Sequence, residues 1–162
     1  MLVGRLSGPQ WSPDRVVSSM SAPLELRIRN QPEDLSPAME TISRWLGSRG
    51  AFAGSEYLAL LAVEELVTNC IKYAYDDAHE HWIRITIDLS EVEMAVTIED
   101  DGHPFDPRSL PEPDTRLPLE DRPIGGLGIH LLRNLFDTLD YSRVEGHNRV
   151  VLRKRVPPEP ST

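Results

Sequence analysis

Cysteine is almost missing from this chain. Cys70 stands alone among 162 residues, so no internal disulfide can form and nothing points to an oxidising compartment. Long apolar runs are missing too, and none approaches the roughly 20 residues that a membrane-spanning helix needs. Basic charge is scarce: 17 Lys and Arg stand against 26 Asp and Glu, a net charge of -9. That balance is wrong for neutralising a nucleic-acid backbone or resting on an anionic membrane. There is no G-x-x-x-x-G-K-[ST], which excludes a P-loop NTPase, and no His-Arg-Asp loop of an ordinary protein kinase. Met1 to Met20 contain Arg5 and Arg15 but no apolar signal-peptide centre. A soluble, cytoplasmic protein is the expectation.

The length suits one domain with a real hydrophobic core. Residues 1–22, rich in Ser, Pro and Gly, read as a flexible extension, 23–156 as the folded domain, and 157–162 as a Pro-rich disordered tail. Leu24–Arg29 alternates apolar and polar residues, the period of a half-buried strand. Asn30 to Pro37 breaks that pattern. From Ala38, Met39, Ile42, Trp45 and Leu46 recur at helical spacing up to Gly50. Ser55 is placed to cap a longer helix that runs to about Tyr75. Trp82–Leu89 and Glu93–Asp100 form a hairpin with one apolar face. His103 to Pro123 carries prolines at 104, 107, 111, 113, 118 and 123 and reads as a long loop, a lid or a binding loop. Ile129–Asp137 then predicts a helix, and Thr138–Val144 with Arg149–Val156 a closing pair of strands. No internal repeat is present. The fold class is α+β: a mostly antiparallel sheet with helices on one face.

Three short stretches carry chemistry. In Glu65-Leu66-Val67-Thr68-Asn69, side chains four apart stack on one helix face, so Glu65 and Asn69 point the same way, with Lys72 and Tyr73 one turn on. Glu64 is rotated roughly 140° from Asn69, which selects Glu65 over its neighbour. A carboxylate beside an amide oxygen suits a hard cation shared with phosphates, or the carboxylate can accept a proton from an attacking hydroxyl. The bland alternative is a solvated helix face. Asp100-Asp101-Gly102 ends a strand; Asp100 can accept from an exocyclic amine while Gly102 lets backbone approach a flat ring, or the segment is a plain turn. Gly125-Gly126-Leu127-Gly128 opens a helix, where free amides attract phosphate or where the glycines act as a hinge. Arg122 upstream reads as a contact for a terminal phosphate or as a solvated loop charge. His79-Glu80-His81 lacks the spacing of a zinc helix and is expected at the surface, and Cys70 falls on the apolar side of its helix as a small core residue.

In order and separation these stretches resemble the N, G1 and G2 boxes of the GHKL ATPase superfamily. The matching wording is Glu64–Tyr75, Asp100–Pro107 and Gly125–Leu131, and the similarity runs from about Leu24 to Lys154. The short chain is most similar to the bacterial anti-sigma-factor serine/threonine kinases, the RsbW-like branch. The resemblance implies a two-layer α/β sandwich that binds ATP and Mg2+. It makes Asn69 the magnesium ligand and Glu65 the base for the substrate hydroxyl. Asp100 would bond the adenine amine with Gly102 beside the ring, and Gly125, Gly126, Leu127, Gly128 and Ile129 would wrap the phosphates. Lys72, Tyr73, Phe105 and Arg122 complete the implied nucleotide site, with residues 103–123 as the lid. The implied partners are a STAS-type anti-anti-sigma protein and a sigma factor, with homodimerisation as a family expectation. The alternative is a nucleotide-gated binding module that transfers no phosphate. Two positions depart from the family pattern: Tyr73 where His is common, and Asn148 near where many superfamily members carry Thr. No phosphoacceptor-histidine helix pair precedes the N box, unlike a two-component histidine kinase.

Overall fold

The computed structural model describes residues 22–114, 116 and 126–157. Residues 1–21 of the expected extension, 158–162 of the expected tail, Arg122, Gly125 and much of the second half of the proline-rich loop lie outside the described residues.

Five strands form one fully antiparallel sheet: β1 (Leu24–Arg29), β2 (Trp82–Leu89), β3 (Glu93–Asp100), β4 (Thr138–Val144) and β5 (His147–Arg155), in the spatial order β1-β2-β3-β5-β4. Alternation decides which face is buried. In the β2–β3 pairing Ile85 lies opposite Ile98 and Ile87 opposite Val96; β5 continues these rows with Val150 and Leu152. All six side chains are buried. Three helices cover this apolar face: α1 (Leu35–Ser48), α2 (Ser55–Tyr73) and α3 (Gly126–Leu135). They contribute Ile42 and Leu46, then Ala59, Ala62, Val63, Leu66 and Val67, then Ile129 and Leu132 to the same core. The expected α+β, two-layer arrangement is the observed one. Among the described residues no helix is long and apolar enough to cross a membrane.

All three helix starts differ from the sequence pattern. α1 begins at Leu35 and not Ala38, because Pro37 falls in the first turn, where a missing N–H costs nothing. A one-turn 3-10 helix at Pro32–Asp34 leads into it. Ser55 is the first residue of α2 and is buried, while the cap position belongs to Gly54 at φ 85°, a conformation that favours glycine. α2 ends at Tyr73, two residues early. α3 starts three residues earlier than Ile129, so Gly126–Gly128 form its first turn.

Ile85 of β2 is fully buried in the core. Ile85→Ala should cost about 2–5 kcal/mol of unfolding free energy in urea titrations, and a loss below about 1 kcal/mol would contradict its place in the core.

Candidate functional site

α2 presents different residues to its two flanks. Glu64 is exposed and borders the groove against α1, beside Met39, Ser43 and Leu60. Glu65 and Asn69 are half-buried, one turn apart. The Glu65 carboxylate packs directly against the start of α3: a Cβ at Gly128 would lie 1.7 Å from its Oε2 and 2.3 Å from its Cδ. Glycine at 128 leaves room for the Glu65 carboxylate to lie against the first turn of α3.

At the end of β3, Asp100 is buried, and neutral hydrogen-bond donors surround its carboxylate. Its Oδ1 accepts from the Gly102 backbone N–H at 2.8 Å and from Asn148 Nδ2 at 3.0 Å. Its Oδ2 lies 3.5 Å from Cys70 Sγ. Burial, and then the Asp100 charge, push the Cys70 thiol well above its ordinary range, so it stays protonated and donating. Cys70 is therefore a half-buried partner of Asp100 and not only a core filler, because α2 delivers it to the strand end. Glycine at 102 is demanded by packing: a Cβ there would sit 2.5 Å from the Ala74 Cβ and 2.9 Å from Asp100 Oδ1.

Between these walls opens a cavity of about 790 Å³, within the roughly 300–1,000 Å³ common for small-molecule sites. Leu66, Ile98 and Val150 make an apolar floor, and Asn69, Cys70 and Tyr73 line the α2 side. Asp100 and Asn148 supply the sheet side, Phe105 and Leu110 the loop side, and Gly126 and Leu127 the α3 side. The first part of the loop is ordered: Asp106 accepts from the Arg108 backbone N–H at 2.9 Å, and Arg133 of α3 donates to the Leu110 carbonyl at 3.0 Å.

The structure thus brings Asn69, Tyr73, Asp100, Phe105, Gly126 and Leu127 to one cavity. Glu65 meets Gly128 beside it, Gly102 braces Asp100 from behind, and Ile129 is buried beneath α3. Lys72 is exposed and is not among the lining residues. Arg122 and Gly125 fall outside the described residues. Sequence reasoning missed Tyr141 and Arg143, which reach the site through Asn148. The only signal for them is the β4–β5 register, which a hairpin's turn sets.

A second cluster pins the segment after α2 to the Asp101–His103 loop. His81 Nε2 lies 2.8 Å from Asp77 and its Nδ1 3.1 Å from Asp101, while its ring stacks on Tyr75 with centroids 4.1 Å apart. His103 pairs with Asp76 at 2.7 Å. The expectation of a surface His81 is corrected here: its side chain is only 18% exposed, covered by the returning chain. Hydrogen bonding to Asp77, then to Asp101, raises the His81 pKa above 6.5, and the same contact lowers Asp77 to about 2. Folding favours the charged imidazole, so this contribution to stability is full below pH 6.5 and is lost as pH rises through the higher folded value. On the acid side Asp77 supports the fold above pH 3.8, and that support is lost as pH falls through about 2. NMR titration should find His81 above 6.5, and Asp77→Asn should lower its midpoint; an unmoved midpoint would remove Asp77 as the main cause.

A model of the histidine kinase-like ATPase domain matches residues 28–154, which includes every element from the end of β1 to β5. The serine/threonine-protein kinase BtrW of Bordetella bronchiseptica is 29% identical over 99 residues, covering 61% of this chain and 70% of that protein. The serine-protein kinase RsbW of Oceanobacillus iheyensis is 26% identical over 127 residues, covering 76% and 80%. RsbW of Listeria monocytogenes is 26% identical over 142 residues, covering 85% and 90%. A sheet–helix sandwich with its cavity at the β3 end, and a family match over most of the folded length, lead to one statement: the chain belongs to the histidine kinase-like ATPase domain family, with RsbW-like kinases among its relatives.

Proposed function

We propose that this chain binds Mg-ATP in the cavity beside α2 and transfers the terminal phosphoryl group to a serine or threonine of a STAS-type anti-anti-sigma protein. In the same partner switch it would hold and silence a sigma factor. The observation that carries the reading is the cavity itself, with Asn69 and Asp100 both in its lining and Glu65 against the glycine start of α3. The kinase names of the relatives support the reaction class.

The residues present fit the group. The cavity volume and apolar floor suit a purine, Asp100 offers a carboxylate acceptor to an exocyclic amine, and Asn69 offers the hard amide oxygen that magnesium accepts. Magnesium, when bound, would screen the phosphate charge. The amides opening α3 would orient the phosphates. Glu65 would take the proton of the attacking hydroxyl as that oxygen bonds to the terminal phosphorus and ADP leaves with the bridging electron pair. Positioning and charge neutralisation carry most of such a transfer.

One observation favours the second reading, a nucleotide-gated binding module. Glu65 is absent from the lining of the cavity, its carboxylate covered by Gly128. Transfer would require the start of α3 to shift when nucleotide binds.

Incubation with ATP labelled on the terminal phosphate and candidate STAS proteins separates the two readings. The kinase reading expects labelled STAS protein, with Glu65→Gln binding ATP normally but transferring at least about a hundredfold more slowly. Gly128→Ala should act like Glu65→Gln on an intact fold, because the added methyl displaces the flexible end of Glu65. Asn69→Ala should lose magnesium-dependent affinity in calorimetry. Tight nucleotide-dependent complexes with no labelled product would leave the module as the function.

A further inference from the structure

Asp100, Asn148 and Arg143 form one row across three strands. Asp100 of β3 lies opposite Asn148 of β5, and Asn148 lies opposite Arg143 of β4. Arg143 Nη1 donates to Asn148 Oδ1 at 2.7 Å and to the Gly102 carbonyl at 3.0 Å. Tyr141 Oη donates to the same Asn148 Oδ1 at 2.8 Å. Asn148 Nδ2 then donates to Asp100 Oδ1 at 3.0 Å and to the His103 carbonyl at 2.7 Å. The amide orientation is forced, since a flipped amide would set its NH2 against a guanidinium and its oxygen against a carboxylate.

Two consequences follow from the hydrogen-bonding capacity of an amide. Asn148 has two N–H donors and an oxygen with two lone pairs, and all four are engaged within the protein. Although it lines the cavity, it has nothing left for a ligand. Asp100 is left asymmetric: two N–H donors occupy Oδ1, while Oδ2 meets only the weak thiol donor of Cys70. Oδ2 therefore keeps its acceptor strength for the cavity. Among the described residues Arg143 is the only cation in this hydrogen-bonded chain, and it polarises the amide that holds the carboxylate.

We propose that Arg143, acting through Asn148, is a positioning residue that aims Asp100 Oδ2 at the exocyclic amine of an adenine ring, so that selectivity for adenine depends on a guanidinium that does not line the cavity. This rests on the nucleotide reading of the site. Arg143 also braces the Gly102 carbonyl, so the strand end and the turn after it are held by one side chain. The Asn148 amide cannot read the base itself. It transmits the order of the β4–β5 hairpin to the carboxylate that does.

The test compares ATP with purine riboside triphosphate, which lacks the amine, by calorimetry with wild type, Arg143→Met and Tyr141→Phe. Wild type should prefer ATP. Arg143→Met should weaken ATP by about tenfold, the order expected for one hydrogen bond to a charged group, and leave the amine-free analogue within about twofold. Tyr141→Phe removes the second donor to Asn148 Oδ1 at constant ring volume and should shift selectivity the same way by a smaller factor. It decides the matter if Arg143→Met does not fold. Arg143→Lys, which keeps the charge, should recover part of the preference. Equal losses for both triphosphates, or unchanged selectivity in the folded variants, would overturn the positioning role while leaving the nucleotide site intact. Failure of wild type to bind either triphosphate would overturn the nucleotide reading, and this inference with it.

Discussion

The end of the sheet is organised around one electrostatic constraint: a buried carboxylate with no cation in contact. A buried carboxylate is costly unless hydrogen-bond donors replace most of the water it loses. Asp100 meets that demand with a backbone N–H from the turn behind it, an amide N–H from the facing strand and a thiol from α2. Each donor comes from a different element. The carboxylate thus ties turn, strand and helix together at the point where the apolar core gives way to the cavity.

Close approach is the second constraint. Gly102 lies against Ala74 just after α2, where no side chain fits between, and Gly128 lies against the Glu65 carboxylate from the middle of α2. These contacts set the width of the cavity. The imidazole–carboxylate pairs of His81 and His103 fasten the chain after α2 onto the same turn, which keeps Gly102 in register with Ala74. Chemistry and packing are therefore not separable here. A methyl group at either glycine would alter the site before it altered the core.

Much of this was legible from residue order. The strands Trp82–Leu89, Glu93–Asp100 and Thr138–Val144 have the ends that alternation predicts, because one apolar face per strand leaves little freedom of register. Helical spacing separated Glu65 from Glu64, and the two do face different flanks. Helix starts were less legible: Pro37 and Ser55 act within first turns, where local residue preferences for cap and interior overlap. The Asp100 contact of Cys70 and the cover over His81 were not legible, for one shared reason. Each is covered by chain distant in sequence, Asp100 for one and Asp101 for the other, and periodicity within a segment carries no information about that.

Taken alone, the order of residues determined an antiparallel sheet under helices, a carboxylate and an amide on one helix flank, an acidic strand end and a glycine-opened helix. Those features are local, governed by periods of 2 and 3.6 residues and by the backbone freedom of glycine. Only the folded chain decided that Asn148 is fully engaged, that Arg143 stands behind it, and that the carboxylate of Glu65 lies under Gly128 rather than in the cavity wall. Such relations depend on which strands are neighbours and how closely helices approach. They are set by the summed packing of the whole domain, which no single segment encodes.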